Sequence, residues 1–351
     1  MKTIIQTIDR KNLISKEFEK AAELLKQGQL VAFPTETVYG LGGNALDETA
    51  ARRIYEAKGR PSDNPLIVHI ADMNALDELA VEIPKEGYQL ADAFWPGPLT
   101  MIFKKSEVVP YSTTGGLDTV AIRMPSDPIA AMLIKESGLF LAAPSANSSG
   151  RPSTTKAEHV IEDLSGKISM IIDGGAVDIG LESTIVDLSG EKPMILRPGF
   201  ITKEQLSNVI GEVEYDKAVL KREKNENIVA KAPGMKYKHY APKGELTIYE
   251  GDMSNVIARI NQESKVKADM GESIGILATD ETKHCYLYGI VKSIGSRSDE
   301  KAIASHLFDI LREFDTLGIS YIYSESFGDN NLGQAIMNRL LKAAGYHIIT
   351  V

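Results

Sequence analysis

Residues 30–45, LVAFPTETVYGLGGNA, begin with a short apolar run and end in a Gly-rich turn. The run Leu30 to Phe33 predicts a buried strand, and it follows a helical pattern over residues 15–28. Hydroxyl groups, including those of Thr35 and Tyr39, come directly after the strand. Loops at strand ends are where α/β sheets usually bind ligands. We therefore expect an α/β domain in which this loop can hold a small polar substrate.

Six further apolar runs bounded by turn residues extend this domain, at residues 66–70, 99–103, 119–124, 139–143, 168–172 and 183–188. Their length and composition predict short buried strands. Helical patterns separate several of them, which indicates a mixed α/β sheet. A Gly-rich loop, rather than a helix, joins 99–103 to 119–124, and this favours some antiparallel pairing.

We expect a first domain over 1–215, which ends shortly after a capped helix predicted near Thr202 to Ile210. Residues 216–244 form the predicted linker, and within it the stretch 221–243 carries seven basic and two acidic groups. Such a run is usually a solvated tether, although Lys236 to Tyr240 is also typical of a segment that docks on an anion. Alternating strands and helices over 245–351 predict a smaller α/β domain with a largely parallel sheet.

The overall composition is that of a globular protein of 351 residues with a formal net charge of −9. That charge lies within residues 1–220 and disfavours long-range attraction to duplex nucleic acid. A single cysteine, Cys285, excludes an internal disulfide and favours the cytoplasm. Its strand-like run, CYLYG, predicts a buried, inert thiol. No apolar run approaches the roughly 20 residues of a membrane helix, so we expect no membrane association.

Five cations stand at strand ends or in loops rich in Gly, Pro and Ser: Lys58, Arg60, Arg123, Arg151 and Arg197. Arg123 ends an apolar strand, where a charge must be paired or face a cleft. Lys58 and Arg60 fit an anion site and a helix C-terminus about equally well. The hydroxyl-rich loop over 141–153 can bind phosphate or cap the next helix.

Other common signatures are missing from the sequence. No P-loop motif and no zinc-ligand spacing is found. His69 lies in the apolar run LIVHI, and this context alone favours a structural core histidine.

Seven blocks together resemble, in order, the YrdC-like threonylcarbamoyl-AMP synthases over roughly residues 12 to 210. They are FPTETVYGLGGNA (33–45), KGRPSDNPLIVH (58–69), FWPGPLTMIF (94–103), VAIRMP (120–125), APSANSSGRPS (143–153), ESTIVDL (182–188) and ILRPG (195–199). The linker and the last domain are similar to the long form of this family. The resemblance implies a twisted, mixed-sheet α/β domain with a large concave cavity, followed by a smaller C-terminal Rossmann-like domain.

The resemblance also implies a nucleotidyltransferase. ATP, L-threonine and bicarbonate give L-threonylcarbamoyl-AMP and pyrophosphate, the first step of a tRNA modification next to the anticodon. It implies Mg²⁺ with ATP, a downstream tRNA threonylcarbamoyl transferase machinery, a weak contact with tRNA, and no metal held by protein side chains. We also expect Lys236 to Tyr240 to close over the cavity as a lid.

The site residues implied by the resemblance fall into three sets. The catalytic set is Lys58, Arg60, Ser145 and Asn147. The ATP set adds Ser62, Thr119, Arg151, Arg197, His239 and Tyr240. The threonine set is Thr35, His69, Arg123, Ala143 and Ser183, and it replaces the core reading of His69.

Two other readings remain at this point. One is an RNA-binding module of the YrdC or YciO type without synthase activity, against which the negative net charge weighs. The other is carbamoyl transfer in hydrogenase maturation or antibiotic synthesis, where YrdC-like domains occur in much longer chains. The single cysteine cannot replace the zinc-finger cysteines of the maturation protein.

Overall fold

A computed structural model describes residues 2–220, 231–233, 239–328 and 331–351, except the side chains of Ala218 and Leu220. The described residues belong to two compact units. Residues 2–149, 153–220 and 231–233 form the first unit, and residues 150–152, 239–328 and 331–351 form the second.

Twelve strands of the described residues build the mixed sheet of the first unit. They are β1 (Ile4–Thr7), β2 (Val31–Phe33), β3 (Gly40–Asn44), β4 (Ile67–His69), β5 (Ala80–Val81), β6 (Leu99–Lys105), β7 (Thr119–Arg123), β8 (Leu141–Ala142), β9 (Met170–Asp173), β10 (Thr184–Asp187), β11 (Met194–Arg197) and β12 (Glu214–Tyr215). Their order is β1-β9-β2-β3-β8-β4-β7-β6-β10-β11-β12, and β5 pairs with β6.

The helices of the first unit are α1 (Glu19–Lys26), α2 (Glu48–Lys58), α3 (Asn74–Leu79), α4 (Lys85–Phe94), α5 (Tyr111–Thr114), α6 (Pro128–Ser137), α7 (Ala157–Leu164), α8 (Lys203–Ile210) and α9 (Lys217–Leu220).

Helix α2 is defined at both ends by its sequence. The Asp47 side chain accepts from the backbone N–H of Thr49, and Gly59 takes a left-handed φ of 63° directly after the helix. Lys58 therefore ends a helix whose position is fixed.

A parallel five-stranded sheet forms the centre of the second unit, within its described residues. Its strands are β13 (Glu245–Glu250), β14 (Ile274–Ala278), β15 (Ile290–Ser293), β16 (Tyr321–Glu325) and β17 (Ile348–Thr350), in the order β15-β14-β16-β13-β17. Its helices are α10 (Met253–Asp269), α11 (Glu300–Thr316) and α12 (Asn331–Ala343). Helix crossovers between parallel strands explain why the sequence alternates here.

The mixed α/β sheet and the parallel second sheet confirm the predicted fold class, and β6 and β7 are antiparallel as expected. The wide cavity stays a prediction. The helix predicted over 15–28 is a 3₁₀ turn, Ser15–Phe18, followed by α1.

The prediction of a buried thiol was wrong. Cys285 is exposed and lies in a second 3₁₀ turn, Lys283–Cys285, before β15. The run CYLYG looks like a strand because of its aromatic and branched residues, but only its continuation pairs in the sheet. Within the described ranges, every helix is too short or too polar to span a lipid bilayer.

Candidate functional site

One cross-strand row runs over five neighbouring strands of the first sheet. His69 on β4 is paired with Arg123 on β7, and Arg123 is paired with Thr100 on β6. Thr100 is paired with Ile185 on β10, which is in turn paired with Arg197 on β11. Directly paired residues lie side by side on a sheet. The register therefore places His69 and Arg123, which are predicted to bind L-threonine, in one line with Arg197, which is predicted to bind ATP.

A second group joins the end of α2 to the loop after β8. The Lys58 ammonium donates to the backbone carbonyls of Ser145 and Asn147, at 2.5 and 2.6 Å. In return, the backbone N–H of Ser149 donates to the carbonyl of Lys58 at 2.8 Å. The Ser145 hydroxyl donates to Asn147 Oδ1 at 2.5 Å. Three of the four predicted catalytic residues thus form one buried or half-buried cluster.

Arg60, the fourth predicted catalytic residue, lies two residues beyond Lys58. Its Nη2 atom donates to the carbonyl of Pro65 at 3.1 Å, so the buried guanidinium holds its own loop at the entry to β4. Ser62 in that loop is exposed. Thr119 begins β7, and Arg123 ends the same strand. Since a strand rises by about 3.3 Å per residue, Thr119 and Arg123 are roughly 13 Å apart along β7.

The ends of β2, β3 and β8 surround Thr35 and Ala143, two of the residues predicted to bind L-threonine. The Thr35 hydroxyl donates to the carbonyl of Val38 at 2.7 Å and stabilises the loop after β2. Ala143 donates from its backbone N–H to the carbonyl of Ile67 at 2.9 Å. Its Cβ would lie 3.3 Å from a Cβ added at Gly40. Glycine at position 40 therefore allows β3 to approach Ala143 closely.

His69 is a neutral histidine at the end of β4. Burial, together with the nearby charge of Arg123, lowers its pKa to about 3. Its Nδ1 atom is 3.1 Å from the carbonyl of Ile67, and a carbonyl only accepts. Nδ1 is therefore the donor, and Nε2 is left as the acceptor atom of the ring. The ring packs edge-on against Phe33, with 6.5 Å between centroids.

Arg123 forms an ion pair with Glu36, a residue outside the predicted site sets. Its Nη2 atom lies 2.9 Å from Oε2 of Glu36, and both side chains are buried. Burial is the largest single influence and would raise the pKa of Glu36, but the charge and hydrogen bonding of Arg123, together with the backbone N–H groups of Glu36 and Ser126, hold this pKa below its usual value. Glu36 is therefore a carboxylate at neutral pH.

Ser183 and Arg197 hold each other at the start of β10. Arg197 donates from Nε to the carbonyl of Ser183 at 3.0 Å and from Nη2 to the Ser183 hydroxyl at 3.1 Å. The same hydroxyl is 2.7 Å from that of Thr100, which the sequence reading missed. Arg197, predicted for ATP, is thus in direct contact with a residue predicted for threonine.

The segment 231–233 lies on the same sheet face as the row. Ala232 is fully buried and packs in a small apolar cluster with Ile67, Ile102, Ala121, Ile185, Leu196 and Met194. Lys231 pairs with Asp187 at 3.5 Å, and Arg197 Nη1 donates to the carbonyl of Pro233 at 3.5 Å. Residues 231–233 of the predicted linker therefore cover this face close to Arg197.

Three predicted ATP residues belong to the second unit: Arg151, His239 and Tyr240. Arg151 pairs with Asp315 at 3.2 Å, and Tyr240 stacks on Phe308 with 5.2 Å between ring centroids. The backbone N–H of Ala241 donates to the carbonyl of Gly150 at 2.8 Å. The remaining lid residues, Lys236 to Lys238, lie outside the described residues.

The predicted catalytic groups beside Lys58, those of Arg60, Ser145 and Asn147, are cationic or neutral. Among the described residues, no three His, Cys, Asp or Glu side chains are gathered as a metal site. Oxygen ligands suit Mg²⁺, which in nucleotide sites is held largely by phosphates and water. The chemistry of this donor set fits a Mg²⁺ ion that arrives on the phosphates of ATP.

Glu36 carried a signal that could have identified it. It lies in the stretch 33–45 that follows a buried strand, and a buried carboxylate needs a cationic partner. Thr100 gave no comparable signal, because threonine is common in strands and its hydroxyl partner is 83 residues away.

Two family models match the chain. The Sua5, YciO and YrdC model, described as "Telomere recombination", matches residues 23–199. The model described as "Threonylcarbamoyl-AMP synthase, C-terminal domain" matches residues 201–345.

Two relatives that match over nearly their full length are named threonylcarbamoyl-AMP synthase. One, from Pyrococcus abyssi, is 50% identical over 331 residues, which cover 94% of this chain and 95% of the relative. The other, from Bacillus subtilis, is 49% identical and covers 95% and 94%. The crystal structure of Pyrococcus abyssi Sua5 complexed with L-threonine matches with a TM-score of 0.94 and 48% identity. It covers 99% of this chain and 100% of that one.

Proposed function

The chain belongs to the Sua5/YciO/YrdC family in its threonylcarbamoyl-AMP synthase branch, and from this membership we propose that it makes L-threonylcarbamoyl-AMP from ATP, L-threonine and bicarbonate. Pyrophosphate is the second product. The product would serve a downstream machinery that transfers the threonylcarbamoyl group to tRNA, and the proposed location is the cytoplasm. The alternative of an RNA-binding module without synthase activity is not favoured, because the relatives at 49–50% identity are named synthases.

The observation that carries the site assignment is the cross-strand row from His69 to Arg197. It brings together a neutral imidazole, the Arg123 guanidinium and the Ser183 hydroxyl. The solved relative with bound L-threonine supports an amino acid as the ligand. We assign the threonine carboxylate to Arg123, and its side-chain hydroxyl to the acceptor Nε2 of His69. Thr35 and Ala143 shape the wall of this site through the loop after β2 and the close approach of Gly40.

We assign the triphosphate to the Lys58 group. In the proposed reaction, the amine of threonine and bicarbonate first give a carbamate and water. A carbamate oxygen then bonds to the α-phosphorus, and the bond from that phosphorus to the pyrophosphate oxygen breaks. Lys58 and Arg60 supply fixed positive charge near the phosphates, a contribution that matters more than covalent assistance in phosphoryl-type transfer. When bound with ATP, Mg²⁺ neutralises part of the phosphate charge.

The positions of these residues along β4 and the loop after β8 support one site that holds both substrates. The loop that contains Ser145 and Asn147 continues directly from Ala143, which bonds to Ile67 at the start of β4. His69 ends the same short strand. A molecule laid along β4 therefore meets the phosphate-binding group near one end and the threonine-binding row near the other.

We also propose that the linker closes over the bound intermediate. The burial of Ala232 and the contact between Arg197 and Pro233 support this role for residues 231–233. His239 and Tyr240, whose neighbouring rings lie 5.6 Å apart, stay predicted ATP contacts. Exclusion of water would protect a carbamoyl adenylate from hydrolysis.

The experiment that tests this function is product identification. The purified chain is incubated with ATP, L-threonine and bicarbonate, and the products are separated and identified by mass spectrometry. We expect L-threonylcarbamoyl-AMP and pyrophosphate. ADP and phosphate alone, or no turnover, would contradict the proposal. A salt-dependent affinity for RNA well above that for ATP would favour the RNA-binding alternative.

A further inference from the structure

Glu36 has no role in the reaction described so far, although its burial costs free energy. The side chain is buried, yet neither carboxylate oxygen has a well-aligned hydrogen-bond partner among the described residues. The same holds for Nη2 of Arg123, its ionic partner at 2.9 Å. Buried polar atoms are nearly always hydrogen-bonded in folded proteins. Two opposite charges therefore meet at the threonine-binding row without a well-aligned hydrogen bond at the Glu36 oxygens or at Nη2 of Arg123.

The charges that face Glu36 leave it as an anion. The guanidinium of Arg123 and the backbone N–H groups of Glu36 and Ser126 favour its charged form. Asp127 is another carboxyl group that interacts with Glu36. Burial raises its pKa to about 6, and Nη2 of Arg10 lies 3.2 Å from its Oδ2 atom. His69 is neutral. The Glu36–Arg123 pair therefore presents one negative and one positive charge side by side.

An α-amino acid is a zwitterion, so a complementary site needs a cation for the carboxylate and an anion for the ammonium. The predicted threonine set supplies one cation, Arg123, and four neutral residues: Thr35, His69, Ala143 and Ser183. With these five residues alone, the substrate ammonium would lie near a guanidinium with no opposing charge.

We propose that Glu36 binds the α-ammonium group of L-threonine while its partner Arg123 binds the carboxylate. The inference rests on the proposed function and adds the residue that recognises the reacting nitrogen. Each end of the substrate then meets one of the two groups that have polar atoms without a well-aligned hydrogen bond in the protein alone. After the ammonium gives one proton to water, the same nitrogen reacts as the amine and becomes the carbamate nitrogen, so the contact also fixes the position of the atom that reacts with bicarbonate.

A merely structural role for Glu36 would act through Arg123, so the test separates the two ends of the ligand. L-Threonine is compared with 3-hydroxybutanoate, which keeps the carboxylate and the hydroxyl but lacks the amine. Binding is measured by saturation-transfer NMR and calorimetry without ATP. Glu36→Gln removes the charge at nearly constant shape. Glu325→Gln removes a buried carboxylate that also pairs with an arginine, Arg297, at the end of β16 in the second unit, and is the matched control.

We expect Glu36→Gln to weaken L-threonine binding by about 10- to 100-fold, as for loss of one charge-assisted hydrogen bond. Binding of 3-hydroxybutanoate should stay within about twofold, and Glu325→Gln should match the wild type for both ligands. Equal weakening of both ligands by Glu36→Gln, or no weakening of either, would overturn the inference.

A second variant keeps the test independent of folding. Glu36→Asp retains the buried charge, and it should bind L-threonine more tightly than Glu36→Gln does. If Glu36→Gln does not fold, Glu36→Asp should still weaken L-threonine selectively, because its shorter side chain withdraws the carboxylate. No selective loss in that variant would overturn the inference. A wild-type protein that binds no L-threonine would overturn the proposed function itself.

Discussion

The ammonium group of Lys58 donates to the backbone carbonyl of Asn147 at 2.6 Å, across a sequence separation of 89 residues. This bond joins the end of α2 to the loop that follows β8. A lysine that holds backbone carbonyls fixes its own charge in space. Preorganised charge of this kind is what transfer of a nucleotidyl group requires.

Lys58→Ala should reduce pyrophosphate release by more than ~100-fold, the scale typical of one preorganised electrostatic contact. Lys105→Ala is the matched control, because Lys105 also donates to a backbone carbonyl, that of Val109 at 3.0 Å, at the end of β6. The control should turn over normally. Both variants should keep the unfolding transition of the first unit, followed by the fluorescence of Trp95, the single tryptophan. Turnover by Lys58→Ala at the wild-type rate would refute the assignment.

The pKa of His69 predicts a pH dependence of stability. The unfolded chain takes up a proton near pH 6.5, whereas the buried ring in the folded protein does so only near pH 3. The unfolded state therefore binds more protons in this window, and the folded state loses stability as the pH falls through it. The maximal slope is about 1.4 kcal/mol per pH unit for one group.

Urea unfolding of wild type and His69→Gln, followed through Trp95 at several pH values, measures this contribution. The neutral glutamine cannot take up the proton. Between pH 6.5 and pH 4.5 the wild type should lose about 2–3 kcal/mol more than the variant. Parallel curves for the two proteins would show that His69 is accessible to protons in the folded state.

Gly199 allows the turn after β11 to pass the start of β10. A Cβ at this position would lie 2.5 Å from the backbone N of Thr184 and 2.9 Å from the carbonyl of Glu182. Gly199→Ala should therefore destabilise the first unit by about 1–3 kcal/mol and weaken threonine binding through the adjacent Ser183. Gly190→Ala meets open space and should stay within about 0.5 kcal/mol. Equal urea midpoints for the two variants would contradict the close packing.

The linker can be tested through the lifetime of the product. Deletion of residues 236–241 removes Tyr240 from its stack on Phe308 and should increase abortive hydrolysis of L-threonylcarbamoyl-AMP. Tyr88→Phe changes an exposed tyrosine of α4 and should behave like the wild type. Chromatography of the product over time measures the effect. An unchanged lifetime in the deletion variant would mean that the segment is only a tether.

The sequence predicts the sheet class well, because short apolar runs between turn residues have few other structures available. It also identifies Arg123 as a charge that needs a partner. It does not identify that partner, because Glu36 is 87 residues earlier in the chain and only the strand order β2-β3-β8-β4-β7 brings the loop after β2 near Arg123. Cys285 shows the opposite error: a local strand pattern ends as an exposed turn when the sheet pairs with a later segment.

The central claim is that one site joins an amino acid, bicarbonate and the α-phosphate of ATP. Pyrophosphate release with each substrate omitted in turn tests it most directly. We predict release only when ATP, L-threonine and bicarbonate are all present, and a fall to background when either L-threonine or bicarbonate is withheld. Pyrophosphate release that continues without L-threonine or without bicarbonate would contradict the account.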